Sequence, residues 1–417
     1  MATAQEQPVK GLGRKELVVL TAWLMALHSL AIDGMLPALD EIARDFHVVD
    51  PNQRQYVVGL FLLSTGAGSL IPGVLADRFG RKLLLMLSLA GYVVFGLGCA
   101  LAQSFDQLIV LRILQGLTAS GLMVLPGAII RDQFEGDAMA RVFSLISAVF
   151  ITVPVIAPSI GQAVMEFAGW RWLFVGLGVM GTVMGIWAAV RLPETLHPEF
   201  RQEIQPQVLA RNMWIAATSR AAIGYVLGTA LVIGTVFGYV NSAQQLVGEH
   251  FGAGSAFPYV FGGTAAMMAV ASIANSRIVE RFGARRVSHA GLLTFIVVSA
   301  AQVWVSHSSH SADLVWFLPL MAMNLALLGF LGANFGSIAM QPFAEIAGAA
   351  SSIQAFLRMV IASLIGIAIG QAYDGTARPL AYALLIAAVL ALALVLYSER
   401  GRLFRRLHAK PPRHFDI

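Results

Sequence analysis

The sequence predicts an all-α polytopic membrane protein whose twelve transmembrane helices form two pseudo-symmetric lobes of six helices each. Of its 417 residues, 57% are hydrophobic and only 12% are charged, and the mean hydropathy is +0.73. This composition lies far outside the range of soluble proteins. The apolar runs are about 20 residues long, enough to cross a bilayer, and at about 35 residues for a span with its loop the chain holds roughly twelve of them.

The first predicted lobe comprises residues 1–192. Its spans cover residues 17–38, 56–76, 83–103, 106–131, 141–165 and 171–192. A polar, proline-rich stretch at residues 193–215 predicts a cytoplasmic linker. The second lobe comprises residues 216–399, with spans at 218–246, 257–278, 287–306, 313–338, 347–371 and 378–398, and a basic cytoplasmic tail follows at 400–417.

The lysines and arginines predict the topology. Of the 28, 22 lie in tails and loops on the side of the amino terminus, four lie in the opposite loops, and Arg112 and Arg358 lie within spans. Because positively charged loops stay in the cytoplasm, both termini are expected there, in the cytoplasmic (inner) membrane. Loop charges of this kind account for the net charge of +5, so we expect no nucleic-acid partner. We also expect the protein to be a monomer in the lipid bilayer.

An internal repeat supports the two lobes. Residues 77–82 (DRFGRK) align with residues 280–285 (ERFGAR) at an offset of 203, and each segment follows the second span of its half. Parallel halves of this kind predict a transporter whose small-molecule substrate binds near the midplane between them.

Three segments carry a resemblance to a known family. Residues 73–82 (GVLADRFGRK) resemble the loop signature between helices 2 and 3 of the major facilitator superfamily, and residues 111–116 (LRILQG) are similar to its helix 4 signature. Pro158 and Gly161 match part of its antiporter signature in helix 5. Residues 33–39 and 339–351 resemble, more narrowly, the bicyclomycin/chloramphenicol-resistance branch of twelve-span drug:proton antiporters.

The resemblance implies multidrug efflux, and hence antibiotic resistance, in which small amphipathic drugs or toxic compounds leave in exchange for protons by alternating access. The alternative is a proton-coupled symporter or facilitator for a specific, possibly anionic, metabolite, which Arg358 favours. A third alternative is a membrane receptor or lipid-moving scaffold. The chain contains no phosphate-binding G-x-x-x-x-G-K-[ST] motif, one cysteine and no paired metal ligands, so we expect no enzyme activity, cofactor or metal, and a proton gradient as the energy source.

Asp33 and Arg112 are the candidates for proton coupling. A charge at the centre of a span costs about 2.5–3.5 kcal/mol, so each side chain should face the interior of the bundle. Arg112 and Gln115 are three residues apart on one helix face, which Met123 continues. The alternatives are that Asp33 lies at the outer boundary and that Arg112 reaches the outer surface by snorkelling.

Further polar residues predict a substrate cavity. Arg358 lies about eleven residues into its span and is expected to contact substrate, to pair with Asp33, or to be held by Gln354 and other amides. A stripe on the seventh span and two asparagines on the tenth complete the set: Tyr225, Thr229, Tyr239, Asn241, Asn324 and Asn334. Simple packing between helices is the alternative for the stripe.

Two further groups of residues are expected to act in conformational change. Pro154 and Pro158, four residues apart, and Gly161 are interpreted as a hinge or a tight contact with the eighth span, or else as ordinary membrane-helix residues. Residues 73–82, which we call the charged turn, predict a conformational latch in which Arg81 reaches Asp132 and Asp77 faces the start of span 11. The alternative is that the cations of the turn only fix topology. The latch residues are Gly73, Asp77, Arg78, Gly80, Arg81 and Asp132. The second copy, with Ala284 in place of the arginine, should latch weakly.

Overall fold

The computed structural model describes residues 13–134, 136–196, 199 and 205–404, and every regular element in these ranges is helical. The first twelve residues and most of the predicted basic tail lie outside the described residues. The helices of the first half are α1 (Arg14–Asp33), α2 (Tyr56–Gly68), α3 (Leu70–Phe79), α4 (Arg81–Ala100), α5 (Phe105–Gln133), α6 (Gly136–Ala168) and α7 (Arg171–Arg191). Those of the second half are α8 (Pro206–Thr218), α9 (Arg220–Gln245), α10 (Phe257–Phe282), α11 (Ala284–His307), α12 (Leu314–Met340), α13 (Ala347–Gln371) and α14 (Arg378–Ser398).

The chain is a polytopic membrane protein. In the described residues, ten helices are long and apolar enough to cross a bilayer, and α2 with α3 forms an eleventh span that bends by 42°. Helix α6, at 33 residues, occupies the position of the predicted fifth span. All twelve predicted span positions are therefore helical.

The structure differs from the predicted boundaries at two places. The second predicted span is broken at Ser69, which ends α2 and precedes α3. The predicted linker is not irregular throughout, because its last residues begin helix α8. Pro206 occupies the first turn of α8, where its missing N–H leaves no hydrogen bond unmade.

The helices pack mostly within their own half. In the first half, α5 packs against α2 and α4, α4 against α7, and α1 against α6. In the second half, α9 packs against α13 and α14, and α12 against α10 and α11. The main contacts between the halves are those of α2 with α13 and of α6 with α10. We call the end of the bundle where α1 begins and α14 ends the terminal end, and the opposite end the distal end.

Candidate functional site

Asp33 is the last residue of α1, and its side chain is buried, with 5% of the residue exposed. The Ser29 hydroxyl, one turn earlier, donates a hydrogen bond to the Asp33 carboxylate at 2.9 Å. The helix ends here because Gly34 and Met35 lead into a short turn that contains Pro37. A buried carboxylate thus lies at a helix break inside an apolar bundle, where its negative charge is costly.

Arg112 is completely buried on α5 and does not snorkel to the surface. Its guanidinium donates to the Val57 carbonyl at 2.8 Å, to the Gln115 side-chain oxygen at 2.8 Å and to the Ala31 carbonyl at 3.0 Å. It also lies 4.2 Å from the centre of the Phe61 ring, a distance suited to cation–π attraction. Arg112 therefore ties α5 to α1 and to α2.

The connection between Arg112 and Asp33 runs through the backbone of α1. Arg112 bonds the carbonyl of Ala31, two residues before Asp33, whereas the described bond of the Asp33 carboxylate is to Ser29. Gln115 is buried beside Arg112, as its position on the helix indicates. Met123, predicted on the same face, is exposed.

Arg358 lies on α13 and is half-buried. In the part of the chain that the structure describes, no hydrogen bond or ion pair holds its guanidinium. The guanidinium lies beside α12 at Gly336, where an added Cβ would be 3.7 Å from Arg358 Nη1. The amide of Gln354 donates instead to the Ala339 carbonyl at 3.1 Å. The Gln354 amide thus bonds to α12, and the Arg358 guanidinium keeps hydrogen-bond donors for which the structure describes no acceptor.

The predicted stripe on the seventh span divides between two places. Tyr225 is buried near the terminal end, where its hydroxyl donates to Glu399 at 2.7 Å, and Thr229 bonds the Tyr225 carbonyl. Tyr239 is buried farther along α9, stacked on Phe261 with ring centres 5.8 Å apart. These aromatic side chains pack between helices of the second half.

Asn241 has a different environment at the junction of the two halves. Both polar atoms of its buried side chain lack a hydrogen-bond partner among the described residues. A Cβ on Gly59 of α2 would approach the Asn241 amide to 3.5 Å, and one on Gly370 of α13 would approach its Cβ to 3.2 Å. Burying an amide without a hydrogen-bond partner costs free energy of folding, and a conformation that gave the Asn241 amide a partner would remove this cost.

The two asparagines of α12 bond to neighbouring helices. Asn334 donates to the Asn275 side chain of α10 at 2.9 Å, and Asn324 accepts from Ser299 of α11 at 3.2 Å. Both are buried within the second half. Their hydrogen bonds tie helices to one another.

The prolines of α6 lie beside a close contact with the second half. Pro154 and Pro158 flank the turn of Val155, whose carbonyl oxygen would lie only 2.6 Å from a Cβ on Gly262 of α10. The close contact of Gly161 is with α1 rather than with the eighth span, since a Cβ there would lie 2.2 Å from the Gly34 carbonyl oxygen. Two glycines thus allow close backbone approach here: Gly262 where α10 meets α6, and Gly161 where α6 meets the end of α1.

The charged turn forms an ion-pair network at the terminal end. Arg81 pairs with Asp132 at 3.0 Å and with Asp77 at 2.6 Å. Arg78 lies 5.3 Å from the ring centre of Phe79, and Gly73 makes only an ordinary contact with α5. The described bond of Asp77 is therefore within its own turn.

Glu194 completes this network, and sequence reasoning missed it. Its carboxylate accepts hydrogen bonds from the backbone N–H of Arg81 at 2.8 Å and of Lys82 at 3.3 Å. It thereby satisfies the free N–H groups at the start of α4, where a negative charge is also favoured by the helix dipole. Gly80 has φ +105° and lies so close that a Cβ would be 2.3 Å from Glu194 Oε2.

The second copy of the turn also forms a network, built on Arg285 rather than on residue 284. Arg285, one residue later, donates to the Glu399 carboxylate at 2.8 Å and to Gln341 at 2.9 Å. Burial alone would raise the pKa of the Glu399 carboxyl, but the hydrogen bonds from Tyr225 and Arg285 lower it below its ordinary value. Each half thus places a glutamate from the chain after its last span against its charged turn.

A second set of residues absent from the sequence predictions closes the distal end. Asn52 donates to the carbonyl oxygens of Tyr373 at 2.8 Å and Gln371 at 3.2 Å, and accepts from Gln245 at 3.0 Å. Gln55 bonds Gln245, and Arg54 bridges Asp40 of the first half to Glu249 of the second. We call this set the distal lock; it comprises Asn52, Arg54, Gln55, Gln245, Glu249, Gln371 and Tyr373.

The distal lock left little signal in the sequence. Its members are scattered polar residues at the ends of predicted spans, separated by about 190 to 320 positions. The sole clue is their position at helix ends, where amides are common. Arg54 is 3% exposed although it carries a charge, because carboxylates from both halves surround it.

Comparison with known proteins places these features in a family. The model of the Major Facilitator Superfamily matches residues 21–367. The chain is 26% identical over 374 residues to "Bicyclomycin resistance protein homolog" of Haemophilus influenzae, covering 88% of this chain and 92% of that protein. It is 26% identical over 377 residues to "Multidrug resistance protein MdtL" of Vibrio parahaemolyticus, covering 89% and 93%.

The fold also matches a solved structure. A D-xylose-proton symporter superposes with a TM-score of 0.72 at 14% identity, covering 93% of this chain and 98% of that one. At this identity the likeness concerns the fold alone. The family match, which spans most of the chain, shows that this protein belongs to the Major Facilitator Superfamily.

Proposed function

We propose that this transporter exports small amphipathic drugs or toxic compounds in exchange for protons, with no organic cofactor or metal. The observation that carries the proposal is the buried Asp33 carboxylate at the break of α1, held by Ser29 inside an apolar bundle. A carboxylate there changes its charge at low cost only by taking up or releasing a proton. The names of the two relatives, which concern resistance to bicyclomycin and to multiple drugs, support a drug as the cargo.

The exchange would proceed by alternating access. Protonation of Asp33 removes a buried charge beside Gly34, which contacts α6 at Gly161. Arg112 contacts the same end of α1 through its hydrogen bond to the Ala31 carbonyl. A shift of α1 is thus transmitted to both α5 and α6, and α6 in turn contacts the second half at Gly262.

The distal lock sets the state from which this cycle starts. Its bonds close the end that the distribution of basic residues predicts to face the outside. Arg358 is then available from the cytoplasmic side for a polar group of the cargo. Opening toward the outside requires the lock bonds to break, and substrate or a proton would supply the difference in free energy.

The test uses purified protein in proteoliposomes with an imposed proton gradient. We expect transport of a bicyclomycin- or chloramphenicol-type compound to be coupled to proton movement, and Asp33→Asn to abolish the coupling. Asp106→Asn, which alters an exposed carboxylate at the start of α5, serves as the matched control. Proton-coupled transport that survives Asp33→Asn would refute the role of Asp33.

Arg358 favours a second candidate, a proton-coupled symporter or facilitator for an anionic metabolite. A half-buried guanidinium without a described partner is suited to a carboxylate or phosphate. Flux measurements in vesicles of known orientation separate the two candidates, because an exporter moves cargo against the direction of the protons and a symporter moves it with them. Loss of transport in Arg358→Gln for anionic compounds alone would support the symporter.

A further inference from the structure

Helix α8 presents an exposed face that the transport cycle does not use. Trp214 is 70% exposed, and Val208 and Ile215 are exposed on the same helix, while Ala216 is buried against the rest of the protein. Helix α8 packs on α13 through its other side. An exposed tryptophan with aliphatic neighbours is unfavourable in water and typical of a membrane–water interface.

The position of α8 in the chain places it at that interface. Ser219 alone separates α8 from α9, which begins at Arg220 and crosses the bundle. The Arg220 guanidinium donates to the Tyr397 carbonyl at 3.1 Å and lies 4.5 Å from the centre of its ring, at the last turn of α14. The end of α8 is therefore fixed at the level where two spans leave the apolar region.

Exposed arginines lie around this point. Residues 205–220 contain no acidic side chain, and Arg211 is exposed on α8. Arg220, Arg400 and Arg402 are exposed at the junction of α9 with the end of α14. The Glu399 side chain, at the end of α14, is 8% exposed and already bonded to Tyr225 and Arg285.

We propose that Trp214, Arg211, Arg220 and Arg400 form a binding surface for the headgroups of anionic phospholipids in the leaflet at the terminal end. The indole and the aliphatic side chains enter the acyl boundary, and the guanidinium groups bond the phosphates, which they match in geometry. An anionic lipid is favoured over a zwitterionic one because all three arginines of this surface are exposed and none of its four residues is acidic.

The depth of Trp214 is tested with full-length protein in nanodiscs that contain brominated phosphatidylcholine. The chain has seven tryptophans, so the contribution of Trp214 is the difference between wild type and Trp214→Phe. We expect the brominated lipid to quench the fluorescence of Trp214 as strongly as that of Trp304, which is equally exposed within a span. The Trp304 contribution is obtained in the same way, from Trp304→Phe. Quenching by aqueous iodide and not by the brominated lipid would overturn the proposal.

The preference for anionic lipid is tested by replacing part of the phosphatidylcholine with phosphatidylglycerol. Thermal unfolding gives the Tm, and native mass spectrometry gives the number of retained lipids. Phosphatidylglycerol should raise the Tm, and Arg211→Gln and Arg400→Gln should each weaken lipid retention by about fivefold. Arg44→Gln, which removes an exposed arginine at the distal end, should retain the wild-type response. An equal response in all variants, or the same stabilisation by inorganic phosphate in phosphatidylcholine discs, would overturn the proposal.

Discussion

Asn52 in the first half donates a hydrogen bond to the backbone carbonyl of Tyr373 in the second half, at 2.8 Å. The two residues are separated by 321 positions, and the bond lies at the distal end of the bundle. It is one of several bonds by which Asn52 contacts two helices of the other half. The closed distal end is thus held by polar contacts that water can replace when the halves separate.

The first prediction concerns Asn52→Ala. The substitution removes three lock bonds, and leaving the partner groups buried and unpaired costs about 1–3 kcal/mol. We expect the population to move toward a distal-open state by roughly 5- to 150-fold in the ratio of states. Spin-label distances across the distal end measure this shift.

Gln53→Ala is the control for Asn52, since Gln53 is an exposed amide next to it. It should leave the distance distribution unchanged. If Asn52→Ala also left it unchanged, the distal lock would not contribute to the balance between states.

The second prediction concerns Gly80 and Gly283, which occupy the same place in the two copies of the turn. Both have positive φ, +105° and +85°, but a Cβ on Gly80 meets Glu194 at 2.3 Å whereas nothing lies within 4 Å at Gly283. With ψ of 152° and 147°, both lie in a backbone region that is essentially restricted to glycine, so alanine at either site costs about 1–3 kcal/mol through backbone strain. Gly80→Ala should cost more, because it also displaces the Glu194 cap of α4.

Thermal unfolding of Gly80→Ala, Glu194→Ala and the double variant checks the cause. Once Glu194 is removed, Gly80→Ala should cost no more than Gly283→Ala. Additive effects of the two substitutions would show that the collision with Glu194 is not the source of the difference.

The third prediction uses two adjacent glycines on α10. A Cβ on Gly262 would lie 2.6 Å from the Val155 carbonyl oxygen of α6, whereas Gly263 has open space around it. Alanine at Gly263 should stabilise the helix by up to about 1 kcal/mol. Alanine at Gly262 should push α6 away from α10 and reduce the transport rate, as measured by flux in proteoliposomes. Equal rates in the two variants would mean that this contact does not limit the transition.

The fourth prediction is a pH dependence of stability through Glu399. The hydrogen bonds from Tyr225 and Arg285 outweigh burial and lower the pKa of its carboxyl in the folded state. The ionised group therefore adds stability that is complete above the ordinary glutamate pKa of about 4.3 and is lost as the pH falls through the lower folded value. The Tm of wild type should exceed that of Glu399→Gln at pH 7, and the gap should narrow as the pH falls below about 4.3.

Glu280→Gln, which alters an exposed glutamate in the same part of the second half, should show no such gap at either pH. A Tm difference between wild type and Glu399→Gln that stayed constant as the pH fell from 7 to well below about 4.3 would contradict an ionic role for Glu399.

The sequence was sufficient for the membrane class and for the placement of the helices. Runs of about 20 apolar residues identify spans locally, because the bilayer demands apolar side chains and satisfied backbone bonds in every such segment. The repeat also indicated that the two turns, residues 77–82 and 280–285, occupy related places. The sequence did not reveal that α2 ends at Ser69 or that residues 206–218 form a helix, since both depend on neighbouring helices.

By itself, then, the sequence determined which segments cross the membrane, and it left open whether Asp33 lies at the outer boundary and whether Arg112 reaches the surface. The tertiary structure alone decided the partners of the polar side chains: Glu194 at the start of α4, Glu399 beside Tyr225, and the residues of the distal lock. Burial follows from local hydropathy, which can be read along the chain. Hydrogen-bond partners come from helices that are distant in sequence, and a side chain such as Asn52 carries no local sign of which carbonyl it will meet.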